Sequence, residues 1–346
     1  MRFVDSHFHW YPRSVWDALC ERPGWPHVEA DGKGGYRYSR EGDPVASNTP
    51  WAAWFDLDDQ LAHMDALGHD IDVISSLGPF SIYFSELAKS AGAEAAIEWN
   101  EIMAGAQRKY PGRFFGTAAV PLVDTDTAID VVNRAAADGL VGVNLPGSVG
   151  TDPHIDAERL EPFYARVEEL GLPLMLHPTD AIFAQMLDGY NDALHVSLGR
   201  VMELSVAAMR LILSGIMERH PNLIVVMSHM GGALPYQAGR MDKNCKRAHL
   251  PQDVSVYLKR MYTDTVQPHA AGMKFGVEYF GADHVMYGTD YPCWMPEAAL
   301  RFFAECGFDE ATQAKIMGGN ARALFRLDEA TAALASGRPR ELAGIH

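Results

Sequence analysis

Leu223-Ile-Val-Val-Met-Ser-His-Met-Gly-Gly232 is an apolar run that stops at a histidine, meets two glycines and gives way to a helix-like pattern over about 232–248. The run is strand-sized, far short of the roughly 18 residues a membrane-crossing helix needs. The order is apolar strand, polar residue at its C-terminal end, breaker, then helix. It decides the fold because it recurs. Further apolar runs fall at Phe3-Val4, Ile71–Ser75, Phe114–Val120, Leu140–Leu145, Leu172–His177, Met261–Thr265 and Val285–Asp290. Helical patterning lies between them at about 57–67, 86–110, 124–138, 156–170, 198–219, 270–280 and 296–306. Such alternation predicts parallel strands joined by helical crossovers. Eight repeats match a (β/α)8 TIM barrel, with residues 1–346 read as a single domain. A doubly wound open sheet is the alternative, but no Gly-rich phosphate loop follows the first strand.

Residues 11–55 break the pattern. They are rich in Pro, Gly and aromatic residues (Trp16, Trp25, Tyr36, Tyr38, Trp51, Trp54) and show no clear period. A long insertion after the first strand is expected to cover the C-terminal mouth of a barrel as a lid; a plain surface loop is the other reading. The Ala-rich stretch 329–336 reads as a terminal helix.

Composition narrows the partners. Of 346 residues, 48% are hydrophobic and 21% charged, a soluble globular balance. The 29 basic and 45 acidic residues leave a net charge of −16, which repels nucleic acid and anionic membranes and argues against both as partners. Cys20, Cys245, Cys293 and Cys306 form no CxxC pair, so neither a disulfide framework nor a thiolate zinc site is expected. Met1-Arg-Phe-Val-Asp-Ser-His7 lacks the apolar core of a signal peptide, and a cytoplasmic location is expected.

The strand ends carry the chemistry. His7 and His9 flank Phe8, and in an extended chain residues i and i+2 share a face. The fifth strand ends in His177, the sixth in His229 and the eighth in Asp290, each ahead of a breaker: Pro178, Gly231-Gly232 and Pro292. C-terminal strand ends of a barrel open into one mouth, so these five side chains are expected to meet there. Three imidazoles and a carboxylate suit one Zn2+, with Mn2+, Fe2+ or Co2+ as alternatives. Leu140–Leu145 contains no Lys that could bridge a second cation, so one metal is the simpler expectation.

Val4-Asp-Ser-His-Phe-His9, His177-Pro178, Ser228-His-Met-Gly-Gly232 and Gly288-Thr-Asp-Tyr-Pro292 resemble the amidohydrolase superfamily. They are most similar to its branch of aminocarboxymuconate-semialdehyde and resorcylate-type decarboxylases. The resemblance runs in order over nearly the whole chain. It implies a (β/α)8 barrel with one divalent metal held by His7, His9, His177 and Asp290, and His229 as the acid/base residue. The implied activity is non-oxidative decarboxylation of an aromatic or conjugated carboxylic acid, a small-molecule carboxylate. The alternative is hydrolysis of an amide, lactone or activated C–C bond, in which Asp290 or His229 would move the proton to the leaving group. A barrel that binds metal without turnover is a third, weaker reading.

For the substrate, the resemblance implies two arginines, one supplied by a neighbouring subunit. Arg240, eleven residues after His229, resembles the subunit-crossing position and implies a homodimer; an ion pair with Asp242 is its structural alternative. The stretch Ala46–Trp51 has no matching Arg, although Arg37 and Arg40 lie nearby. Trp294 and Tyr291 are expected either to wall a substrate pocket or to pack in the core. Asp264 reads as a partner to a metal ligand or as a strand-end cap, and His220 as a helix-end contact. His63, His69, His154, His195, His249, His269 and His284 have no spacing that recruits them.

Overall fold

The computed structural model describes residues 2–24, 27–39, 47–48, 54–68, 71–75, 89–149, 154–179, 187, 189–190 and 193–336. Strand β1 (Phe3–Phe8) is followed by a small antiparallel sheet of β2 (His27–Ala30), β3 (Tyr36–Ser39) and β4 (Ser47–Asn48). Seven more strands come after it: β5 (Ile71–Ser75), β6 (Phe114–Ala118), β7 (Gly142–Pro146), β8 (Leu174–His177), β9 (Val225–Met227), β10 (Tyr262–Asp264) and β11 (Val285–Met286). Each of these pairs in parallel with the next in the order β1-β5-β6-β7-β8-β9-β10-β11. The ring closes where β1 meets the chain leaving β11: Ser6 N–H donates to Tyr287 O, Asp290 N–H to His7 O and His9 N–H to Tyr291 O, each at 2.8 Å. This is the expected (β/α)8 barrel.

Alternate strand residues divide between two cores, as a period of two requires. Val73, Phe114, Leu174, Leu176, Val225, Met227 and Val285 pack outward with the helices. Val4, Ile74, Phe115, Val141, Met175, Val226 and Met286 form a second cluster, closed by Phe325, Leu327 and Ala330 from the C-terminal segment. That cluster fills the barrel below the mouth, as in a barrel packed by layers of inward side chains. His177 lies two residues after Met175 and so shares its inward face. β1 changes register between Asp5 and Phe8. A shift of this kind re-aims side chains, which lets both Val4 and His7 face inward although they are three residues apart.

The crossover helices begin and end on local signals. Asp56 and Asp124 accept from the backbone N–H of Asp59 and Thr127 at 3.1 and 2.9 Å, capping Leu57–Ala66 and Thr125–Ala137. Gly171, left-handed at φ 61°, ends Glu161–Leu170. The helix expected at 198–219 is two, Arg200–Leu213 and Ile216–Arg219, because Gly215 at φ 82° interrupts it. The 232–248 stretch divides similarly into Leu234–Asn244 and a short 3-10 turn, Cys245–Ala248. Among the described residues no helix is long and apolar enough to cross a membrane.

The insertion has more order than its sequence suggests. It forms a helix, Arg13–Cys20, beside the β2-β3-β4 sheet. Strands of two to four residues are too short to display a period. Tyr11, Trp16, Val28, Tyr36, Trp54 and Phe55 are buried together with the barrel's outer core. Trp25, Arg40 and Trp51 lie outside the described residues, as does Ala46–Trp51 apart from the strand pair Ser47–Asn48.

Candidate metal centre

Four strand ends supply the site. His7 belongs to β1, with His9 just beyond it; His177 is the last residue of β8; Asp290 follows β11. His229 opens the turn after β9. Asp290 and His229 both hold left-handed backbones, at φ 60° and 54°, a conformation uncommon outside glycine that re-aims a side chain at a strand exit. Gly231 and Gly232 permit the second of these turns. A Cβ on Gly231 would lie 2.7 Å from the Phe280 ring, and one on Gly232 would lie 2.7 Å from Ser205 Oγ.

These side chains converge. His7, His9, His177 and Asp290 each offer a ligand atom, and the four atoms lie within 4.8 Å of one another; all four residues are buried. The His7 ring centroid lies 5.0 Å from His9 and 5.2 Å from both His177 and His229. Asp290 Oδ1 is 2.9 Å from His9 Nε2 and 3.4 Å from His7 Nε2, while Oδ2 is 3.5 Å from His229 Nε2. Nε2 of His7 and of His177 are buried without a hydrogen-bond partner. Buried polar atoms rarely go unpartnered, and two such imidazole nitrogens within one cluster of ligand atoms are what a cation-sized gap would leave. The donor set of three nitrogens and one carboxylate oxygen fits a single borderline-soft dication.

The electrostatics separate the residues. Burial pushes the Asp290 carboxyl up, but the neighbouring His7, His229 and His9 outweigh it and hold the group well below the carboxylate range. His177 is held well below the usual imidazole value by burial and by the neighbouring His7, His229 and His9, so it is neutral, as a ligand must be. For His7, burial works downward, but Asp264 and Asp290 overcome it and push the group up to about 10. A cation would stand where that proton is held. The His229 side chain is 15% exposed, against 3% for His7 and none for His9. His229 is therefore the histidine of the group that solvent reaches.

Several groups support the cluster. Asp5, fully buried, accepts from Thr289 N–H at 3.1 Å, from the Thr289 hydroxyl and from His7 N–H at 3.0 Å, tying β1 to the chain just ahead of Asp290. Burial pushes its carboxyl up to about 7 against those hydrogen bonds. Gln60 donates from Nε2 to the His9 carbonyl at 2.9 Å. Trp54 lies parallel to Tyr11 at 4.7 Å and to His9 at 6.1 Å. Neither Asp5 nor Gln60 was singled out from the sequence. Asp5 sits two residues before His7, a spacing that hints at a shared strand, but nothing in the sequence shows that it bonds across to Thr289.

The remaining candidates fall as follows. Arg240 is exposed on Leu234–Asn244 and makes no ion pair among the described residues; Asp242 instead accepts from Ser255 N–H at 2.8 Å. Arg37 pairs with Glu29 across β2 and β3 at 2.8 Å. Trp294 is 43% exposed, and its backbone N–H donates to Asp290 O at 3.2 Å. It lines a cleft with Val266, Met273, Met295 and Phe302. Tyr291 is buried and stacks on His63 at 5.4 Å. His220 sits between Glu168 and Glu161 at 2.9 and 3.0 Å, a structural contact. His69 lies outside the described residues.

A family model described as Amidohydrolase matches residues 4–327. Gamma-resorcylate decarboxylase of Rhizobium sp. (strain MTP-10005) is 30% identical over 291 residues, covering 79% of this chain and 88% of that protein. The 2-amino-3-carboxymuconate-6-semialdehyde decarboxylase of Dictyostelium discoideum is 28% identical over 348 residues, covering 94% and 92%. Among solved structures, a 2,6-dihydroxybenzoate decarboxylase from Rhizobium superposes with a TM-score of 0.77 at 26% identity, covering 95% of this chain and 99% of that one.

Proposed function

The chain belongs to the amidohydrolase family, and from that premise we propose that it is a non-oxidative carboxy-lyase of an aromatic or conjugated carboxylic acid, working with one divalent metal ion. The observation that carries the proposal is the division within the cluster. Four buried ligand atoms lie within 4.8 Å of one another, and beside them stands one histidine that solvent reaches. His7, His9, His177 and Asp290 would hold the metal, with Zn2+ favoured by the three imidazoles. When bound, the dication supplies a Lewis acid that orients substrate oxygens and draws on the electron pair left as CO2 departs.

The side chains do the rest. Decarboxylation breaks the bond between a carbon and its carboxylate, and that carbon must then receive a proton. His229 would deliver it: its Nε2 lies 3.5 Å from Asp290 Oδ2, and its side chain is 15% exposed. Asp290, held ionised beside that nitrogen, orients the ring. Trp294, 43% exposed and joined through its backbone N–H to Asp290 O, supplies aromatic surface beside the site, which suits a planar acid. Residues 11–55 act as the lid of the single barrel domain. Arg240, exposed on its helix, serves the substrate carboxylate of a neighbouring subunit in a homodimer, and four cysteines outside any disulfide accord with a cytoplasmic enzyme.

The test is CO2 release by metal-loaded protein from a panel of dihydroxybenzoates and conjugated dicarboxylates. Release from at least one, abolished by chelator, is expected. Inertness to all of them, together with 18O from water appearing in the acid product of an amide or lactone, would replace this reading with a hydrolase.

A further inference from the structure

The two nitrogens of His7 have different surroundings. Nε2 faces the other ligand atoms, 3.4 Å from Asp290 Oδ1. Nδ1 lies 2.7 Å from Asp264 Oδ2. Asp264 ends β10, is 2% exposed, and spends its second oxygen on the Val266 N–H at 3.0 Å. A strand-end cap needs only that second contact. Here the carboxylate is fixed by the backbone at one oxygen and committed to an imidazole at the other.

Packing keeps the two side chains together. Gly288 on the neighbouring strand exit has no room for a side chain: a Cβ there would lie 2.8 Å from His7 Cβ and 3.0 Å from Asp264 Cβ. His177 makes the comparison. Its Nδ1 is held by a backbone carbonyl, that of Pro178, at 2.8 Å. His7 has a full negative charge at the same ring position.

We propose that Asp264 is a positioning residue for the metal centre: it keeps the His7 proton on Nδ1, turns Nε2 toward the cation and makes that nitrogen a stronger donor. The inference rests on reading His7, His9, His177 and Asp290 as the metal ligands. Asp264 and Asp290 together carry two negative charges, which balance one dication inside a buried site where an unmatched charge is costly. A carboxylate behind a metal-bound imidazole fixes its tautomer and raises its basicity, and losing such a partner typically weakens metal affinity about 10–100-fold.

The experiment is chelator competition with Zn2+ and Mn2+ on the full-length protein and on Asp264→Asn and Asp264→Ala, with the thermal midpoint of each metal-free protein measured alongside. Long-range proton–nitrogen NMR of the histidine rings reports the His7 tautomer. Wild type is expected to take one equivalent, with His7 carrying its proton on Nδ1. Asp264→Asn, which keeps size and shape, should bind about 10–100-fold more weakly while its metal-free midpoint stays near wild type. Should Asp264→Ala fail to fold, the Asn variant decides. Wild-type affinity in Asp264→Asn, or a His7 proton on Nε2 in the loaded protein, overturns the inference while leaving the metal centre intact. A wild type that binds no metal overturns both.

Discussion

The role proposed for His229 rests on the geometry of one residue. Its backbone sits at φ 54°, followed by Met230 at 52°, so the chain turns sharply where β9 ends, and the ring stands 5.2 Å from those of His7 and His177. Removing the imidazole should therefore remove proton delivery without emptying the metal site. His229→Asn is expected to lower kcat by about 10²–10⁴ with unchanged metal content, the range for loss of a general acid. Equal loss of metal and activity would make His229 a ligand instead. That these side chains come together was legible in the sequence because each stands at a strand end before a breaker: His177 before Pro178, His229 before Gly231-Gly232, Asp290 before Pro292. Asp5 was not, because its bond to Thr289 joins positions 284 residues apart and neither has a distinctive neighbour.

Among the elements, the parallel strands were readable as continuous apolar runs, because both their faces are buried, and the helices between them by their period. The insertion was not, since Arg13–Cys20 and the β2-β3-β4 sheet are short and their order comes from aromatic packing instead of alternation. Trp54 tests that packing. It is 3% exposed and stacked on Tyr11. Trp54→Ala should destabilise the protein by about 3 kcal/mol, as burial of a large ring predicts. A loss below about 1 kcal/mol in a denaturant titration would mean that the insertion folds independently of the barrel.

The helix Glu161–Leu170 offers a pH test. Glu161 receives Nε and Nη2 hydrogen bonds from Arg219 at 2.6 and 2.7 Å and lies 3.0 Å from His220 Nε2. Arg219, then His220, outweigh burial and hold its carboxyl below the ordinary value of 4.5. A carboxyl depressed by folding contributes stability that is present above its unfolded pKa and lost as pH falls through the folded one. The gap in thermal midpoint between wild type and Glu161→Gln should therefore be full near pH 6 and close as pH drops below about 4.5. A gap that widens on acidification would contradict the assignment.

Over the whole molecule, the barrel is a device for bringing residue 7 and residue 290 to one point. β1 closes against the chain after β11, and the C-terminal segment plugs the opposite end with Phe325 and Leu327. At the opposite end from the mouth, buried Asp72 gathers Arg2 and Arg113 at 2.8 and 3.4 Å, together with Arg322, binding both chain ends to β5. The eight-fold repeat made this closure readable in the sequence; the Asp72 cluster, built from residues with no shared motif, stayed hidden.

The measurement that bears most directly on the account is the metal stoichiometry of the purified chain after loading with zinc and exhaustive dialysis, beside that of His9→Ala and His177→Ala. One equivalent per wild-type chain is predicted, with strongly reduced retention in both variants. A wild-type chain that retains no zinc, or variants that hold a full equivalent, would contradict it.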